Sequence, residues 1–300
     1  MSDVDSRRPR RMHADEPDLD EPLVRRLVAR RFPHWAGLPV RRLASSGTEN
    51  AMFRLGPDLV VRLPRRPGAV PDVTHEQRWL PLLGPLLPVP VPEPVGVGEP
   101  DAGFPWPWSV YRWLAGRNPA AGAVEDPAGL AGDLGAFVGA LRRVPVRDAP
   151  AGYRAGPLRE RDAETRAAVA ELGTRVDAGA VLARWRQALD APEHTGPPVW
   201  AHADLTPGNV LVDGGRLAAV IDFGTAGAGD PAVDLIVAWN LLPAAARGVF
   251  RAAVGAGDAE WARGRGWALS IALVALPYYW DTNPALAENS RHVIAEIVAG

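Results

Sequence analysis

The segment His202-Ala203-Asp204-Leu205-Thr206-Pro207-Gly208-Asn209, followed by a hairpin pattern and then Ile221-Asp222-Phe223-Gly224, decides how this chain is read. Asn209-Val210-Leu211-Val212 and Leu217-Ala218-Ala219-Val220-Ile221 are apolar runs around Asp213-Gly214-Gly215-Arg216, and Gly-Gly is a favoured two-residue hairpin loop. With that loop Val212 faces Leu217 and Asn209 faces Val220. Asp222 is then expected diagonally across from Asn209 on one face, roughly 7–8 Å away at Cα, a gap that two short side chains and a cation close. Lone Asp and Asn residues commonly end strands and cap loops, but four polar residues at fixed offsets around one hairpin are more than that task needs. A loop carboxylate suited to accepting a hydroxyl proton, Asp204, stands with an amide and a carboxylate suited to Mg²⁺ under a nucleotide's phosphates, Asn209 and Asp222. This is a layout for phosphoryl transfer.

The chain of 300 residues is long enough for one large domain or two lobes, and its hydrophobic content of 47% with mixed charge is that of a soluble globular protein. A formal net charge of −2 argues against a basic nucleic-acid surface and against a polybasic membrane anchor. Cysteine is absent, which excludes disulfides, thiolate nucleophiles and cysteine metal ligands. All 33 basic residues are arginine, a bias that accompanies abundant Ala, Gly and Pro and fits a GC-rich genome. Residues 1–18 carry Arg7-Arg8-Pro9-Arg10-Arg11 and then a run of acids without an apolar stretch, and are expected to be a disordered arm rather than a secretory signal. The longest apolar run, Ala268 to Leu276, is interrupted by Pro277 and too short to span a bilayer, so a cytoplasmic location is expected.

Residues 19–32 have helical spacing through Leu23, Leu27 and Val28, and Val40–Leu43, Ala51–Leu55 and Leu59–Leu63 read as short antiparallel strands. His75–Leu83 reads as a helix in which Glu76, Trp79, Leu80 and Leu83 share one face, so Glu76 points inward. A buried carboxylate needs a cation, and Arg62, alternating with apolar neighbours in Leu59-Val60-Val61-Arg62-Leu63, is the candidate on the adjacent strand. The pattern leaves a second arrangement open, with Glu76 bent to solvent and Arg62 on an open strand face. The expectation is an Arg62–Glu76 pair. Pro81–Pro100 is expected to be extended before a strand at Pro94–Gly98, and Trp108–Leu114 is a further strand that ends at Ala115-Gly116. From Asp126 onward Ala, Leu and Arg recur at helical spacing. The expected organisation is an α+β protein with a nucleotide-binding lobe at 19–115 and a helical lobe with the catalytic loop and acceptor site at 116–300.

With these parts in place, the chain resembles the aminoglycoside phosphotransferase family over roughly residues 20 to 300. The resemblance rests on His202-x-Asp204-x-x-x-x-Asn209, Ile221-Asp222-Phe223-Gly224 and Gly229-Asp230-Pro231-x-x-Asp234-Leu235. It implies the two-lobed protein-kinase-like fold, with a small antiparallel-sheet N-lobe and a larger, mainly helical C-lobe. It implies a catalytic base at Asp204 and Mg²⁺ ligands at Asn209 and Asp222. His202 is implied as a loop anchor and Asp234 as a supporting residue. Tyr111-Arg112-Trp113-Leu114 is similar to the interlobe hinge that reads the purine, and Ser45–Asn50, with Gly47 and Thr48, to the turn over the phosphates. Arg62 stands where the family usually has a phosphate-anchoring lysine, with Glu76 as its partner, and a planar, bidentate guanidinium is no simple replacement for an ammonium. Arg62-Leu63-Pro64-Arg65 is similar to a strand end in a macrolide-kinase-like branch.

The implied activity is transfer of the γ-phosphate of ATP or GTP to a hydroxyl of a small molecule, such as an aminoglycoside-like or macrolide antibiotic or a metabolite. Neither a nucleic-acid nor a membrane partner is expected. The Pro277-Tyr278-Tyr279-Trp280-Asp281 cluster serves either the acceptor site or the core. A second reading is a non-catalytic kinase-like module that binds nucleotide or small molecule. A metal-dependent phosphohydrolase requires a denser cluster of ligands than this sequence offers.

Overall fold

The computed structural model describes residues 18–43, 49–101, 103–120 and 124–300. Most of the expected N-terminal arm lies outside them, as do Ser45, Ser46, Gly47 and Thr48 of the expected phosphate turn. The chain divides into two compact units, residues 1–77 with 93–113, and residues 78–92 with 114–300.

In the first unit, α1 (Glu21–Arg31) begins where Asp20 accepts the Leu23 N–H at 2.8 Å. Its Leu23, Val24, Leu27 and Val28 are buried, as the helical spacing requires. Strands β1 (Val40–Arg42), β2 (Asn50–Leu55) and β3 (Leu59–Pro64) precede α2 (Val70–Leu83), and β4 (Pro94–Gly98) and β5 (Trp108–Arg112) follow it. They form one antiparallel sheet in the order β1-β2-β3-β5-β4, with Arg62 of β3 opposite Met52 of β2 and Ser109 of β5. Phe53, Leu55, Val61, Leu63, Trp108 and Val110 join the buried residues of α1 in one core. Gly98 is required there, because a Cβ at that position would fall 1.8 Å from the Trp108 ring.

Helix α2 starts earlier than His75 and holds Pro81 in its last turn. The chain between it and β4 is short of regular structure, as its prolines demand.

The second unit contains α3 (Pro127–Arg143), α4 (Asp162–Leu172), α5 (Ala178–Leu189) and β6 (Val199–Ala201). Next come the hairpin β7 (Val210–Asp213) and β8 (Arg216–Val220), β9 (Gly227–Gly229), the single turn α6 (Val237–Asn240), α7 (Ala244–Val254), α8 (Asp258–Tyr279) and α9 (Pro284–Ala299). Strand β6 pairs with β9. Trp79 stands edge-on to Trp200 of β6 with ring centroids 5.2 Å apart, which places the later part of α2 with this unit. Helix α8 runs through Pro277, two residues before its end. The core alternative for the aromatic cluster does not hold: Tyr278 is 59% exposed, and Trp280 lies beneath the guanidinium groups of Arg175 and Arg291.

Candidate active site

His202, Ala203 and Asp204 leave the end of β6 in a loop whose first two amides are held by Asp234. That carboxylate is buried and accepts the His202 N–H at 2.9 Å through Oδ2 and the Ala203 N–H at 2.8 Å through Oδ1. Burial pushes its acidity to a higher pKa than usual, and the nearby His202 and the two amide bonds oppose that shift. The other acid of the same run, Asp230, is gripped by buried Arg263, Nε to Oδ2 at 2.8 Å and Nη2 to Oδ1 at 3.1 Å. The Asp-Pro-x-x-Asp run is therefore a brace behind the loop.

His202 is fully buried. Its Nε2 lies 3.0 Å from the Ile221 carbonyl, which can only accept, and its Nδ1 accepts the Asp204 N–H at 3.3 Å. The partners assign the ring proton to Nε2. Phe223 stands edge-on to the imidazole at 4.7 Å, and Thr225 Oγ1 donates to the His202 carbonyl at 2.9 Å. The histidine thus ties the Asp204 loop to the Asp222 loop. Both loops carry a non-glycine residue in the left-handed region, Ala203 at φ 65° and Asp222 at φ 67°, conformations that surrounding contacts must hold in place.

The hairpin corrects one expectation. Val212 does face Leu217, but Ala218 is bulged out, so Leu211 pairs with Ala219 and Val210 with Val220. Asn209 consequently opposes Ile221, whose N–H donates to the Asn209 carbonyl at 2.9 Å, rather than Val220. Asp222 immediately follows the residue paired with Asn209, and the left-handed turn, not the regular pleat, sets its direction.

Asn209 joins the two kinds of chemistry. Its Nδ2 donates to Asp204 Oδ2 at 2.8 Å and to the Asp204 carbonyl at 2.9 Å. The donor end of the amide is committed to Asp204, so its oxygen is the end suited to a cation. Among the described residues no group of three or more His, Cys, Asp and Glu side chains converges as a metal cage. An amide oxygen and a carboxylate are donors of the kind that, completed by phosphate and water, suits Mg²⁺.

Two residues here carried no signal in the sequence. Asn118 Nδ2 donates to the carbonyls of Pro207, Gly208 and Val210 at 3.2, 2.8 and 2.9 Å, clamping the loop that presents Asn209. Arg154 reaches the Asp204 carboxylate itself, with Nη1 3.1 Å from Asp204 Oδ1 and 2.6 Å from the Ala203 carbonyl.

In the first unit the expected ion pair forms. Arg62 Nη1 lies 2.7 Å from Glu76 Oε1, and both side chains are buried. With the Asn50 amide turned so that its oxygen meets the guanidinium, that oxygen accepts from Arg62 Nε at 3.0 Å and Nη2 at 2.8 Å. Tyr111 donates its hydroxyl to Glu76 Oε2, and its pKa is pushed far up by burial, with the Glu76 charge adding to the effect. Arg112 is exposed and paired with Glu93, Trp113 is stacked under Arg54, and Leu114 is partly exposed. The Arg112 and Trp113 N–H groups are already bonded to the carbonyls of Glu93 and Asp58.

No curated protein sequence matches the chain. Among solved structures, the GDP complex of aminoglycoside 2'-phosphotransferase-IIIa is similar with a TM-score of 0.76 at 20% identity, over 94% of this chain and 99% of that one. The macrolide 2'-phosphotransferase MphH from Brachybacterium faecium, as apoenzyme, is similar with a TM-score of 0.62 at 26% identity, over 91% and 97%. The ADP-bound aminoglycoside phosphotransferase APH(2'')-Ib has a TM-score of 0.61 at 16% identity, over 93% and 97%. These likenesses establish the two-lobed kinase-like fold. A sequence profile described as the phosphotransferase enzyme family matches residues 40–267, from the first strand through the Asp204 loop and its brace into α8, and the chain belongs to that family.

Proposed function

We propose that this protein transfers the γ-phosphoryl group of ATP or GTP to a hydroxyl of a small organic molecule. The observation that carries the reading is the single amide, Asn209, that holds the carboxylate of Asp204 with its nitrogen and leaves its oxygen for a cation. With a cation on that oxygen, a proton acceptor and a phosphate-binding cation would lie within one residue's reach.

In this reading Asp204 orients the acceptor hydroxyl and takes its proton as the acceptor oxygen bonds to the γ-phosphorus. The bond from that phosphorus to the β–γ bridging oxygen breaks, and the nucleoside diphosphate leaves with the electron pair. Asn209 and Asp222 would hold Mg²⁺, which when bound would offset the charge of the phosphates. Arg62, fixed by Glu76, Asn50 and the sheet, steadies the donor's phosphates. His202, Asn118 and Asp234 keep the loop in shape before substrate arrives, so its organisation costs little at the moment of reaction.

Relatives of this fold carry GDP or ADP, and they include enzymes named for aminoglycosides and macrolides, which supports a nucleotide donor and a polyhydroxylated acceptor. The test is transfer of labelled γ-phosphate from ATP and from GTP to a panel of macrolides, aminoglycosides, amino alcohols and sugars. Wild-type protein is expected to label at least one class, and Asp204→Asn to lower kcat by about 10²–10⁴-fold while nucleotide affinity stays within a few-fold. Nucleotide binding without transfer to any member of the panel would replace the enzyme reading with that of a binding module.

A further inference from the structure

Arg154 lies in the irregular chain between α3 and α4, far from the motif residues in sequence. That chain is stitched to β9 and the loop before it. The Gly152 N–H donates to the Ala228 carbonyl at 3.0 Å, the Ala228 N–H to the Pro150 carbonyl at 2.8 Å, and the Tyr153 N–H to the Thr225 carbonyl at 3.2 Å. The two backbones pass so closely that a Cβ on Gly227 would lie 2.5 Å from the Gly152 nitrogen. From this fixed base one guanidinium nitrogen, Nη1, reaches both the Ala203 carbonyl and Asp204 Oδ1. Side-chain exposure is 17% for Arg154 and 29% for Asp204, so the pair is shielded yet the carboxylate remains accessible.

The terminal torsion of an aspartate is broad, and one hydrogen bond leaves the carboxylate plane free to swing. Here Asn209 holds Oδ2 and Arg154 holds Oδ1, two donors from separate segments on the two oxygens. Each oxygen keeps a lone pair for an incoming hydroxyl. The same guanidinium steadies the Ala203 carbonyl, next to the left-handed backbone that aims the loop. Its positive charge also offsets the repulsion between the Asp204 carboxylate and an approaching anionic phosphoryl group.

We propose that Arg154 is a positioning residue for phosphoryl transfer, fixing the plane of the Asp204 carboxylate and neutralising its repulsion of the phosphoryl group. This rests on the transferase reading given above. Arg154→Met, Arg154→Gln and Arg154→Lys are compared with wild type on whichever panel acceptor the wild-type protein phosphorylates, with melting temperature and nucleotide Kd measured alongside. Arg154→Met is expected to lower kcat by about 10–10²-fold, the scale of a misplaced reacting group, with nucleotide Kd unchanged within about two-fold. Lysine, which keeps the charge, is expected to recover more of the rate than glutamine. In an Asp204→Asn background the methionine substitution is expected to cost less than about two-fold more, because its effect passes through the carboxylate. If the methionine variant does not fold, the glutamine and lysine variants carry the same comparison.

Unchanged kcat in a folded variant overturns the proposal. So does a loss confined to nucleotide affinity, or an equal loss with and without the Asp204 carboxylate. A wild-type protein that phosphorylates no member of the panel overturns the transferase reading and this proposal with it.

Discussion

Arg62 meets Glu76 with a planar fork where an ammonium would bring a single point of charge, and the fork leaves further N–H groups for Asn50. Because Glu76 has no solvent contact, removing its cation is costly while removing both charges is not. Arg62→Met is expected to destabilise the protein by about 3–5 kcal/mol, and Arg62→Met with Glu76→Leu to recover most of that loss. Urea denaturation of the two variants measures both effects, and equal midpoints for the single and double variants would contradict this account. This pair was legible in the sequence because two periods intersect there. An inward helix position and a strand alternation both leave a charge among apolar residues, and only pairing resolves both. Arg154 was not legible, since one arginine among many in a segment without regular spacing carries no such contradiction.

The β7–β8 hairpin is secured from outside by Asp133 of α3. Its Oδ2 accepts from Arg216 Nε at 2.7 Å and from the Leu217 N–H at 3.2 Å, and its Oδ1 accepts from Arg216 Nη2 at 2.6 Å. The hydrogen bonds from Arg216 hold the Asp133 carboxyl below its ordinary value of 3.8, against a smaller opposing effect of burial. A carboxylate with a depressed folded pKa contributes stability that is present above 3.8 and lost as pH falls through the lower folded value. Denaturation midpoints of Asp133→Asn are therefore expected to lie below wild type at neutral pH and to converge with it as the pH is lowered past that range. Convergence on raising the pH would reverse the sign and refute the assignment. Sequence reading found this hairpin and its Gly-Gly loop, because turn chemistry is local. It missed the Ala218 bulge, since alanine suits a regular and a bulged strand equally, and so it set Asn209 against the wrong partner. The loop brace at Asp234 was visible only through family resemblance, because no local rule says which amides a distant aspartate will accept.

At the scale of the molecule, the order of a small antiparallel sheet followed by helices could be read from the change of period along the chain. The division of α2 between the two units could not, because a continuous helix gives no sign of which contacts each of its turns makes. The absence of lysine is likewise a property of the whole chain. Acyl-phosphate analogues of ATP, which acylate amines, are expected to leave every side chain unmodified even as unmodified ATP or GTP binds. Intact-mass and peptide mass spectrometry check the first half and a fluorescent-nucleotide competition the second, and an acylated side chain would contradict the expectation. The buried Arg62–Glu76 bridge carries one more consequence. In protein kinases the corresponding bridge opens and closes, and that movement turns the enzyme off and on. Here it is closed and buried, with Asn50 on the guanidinium and Tyr111 on the carboxylate, so that opening it strips the groups it joins of their partners together. A switch at this bridge would have to break all of these contacts at once.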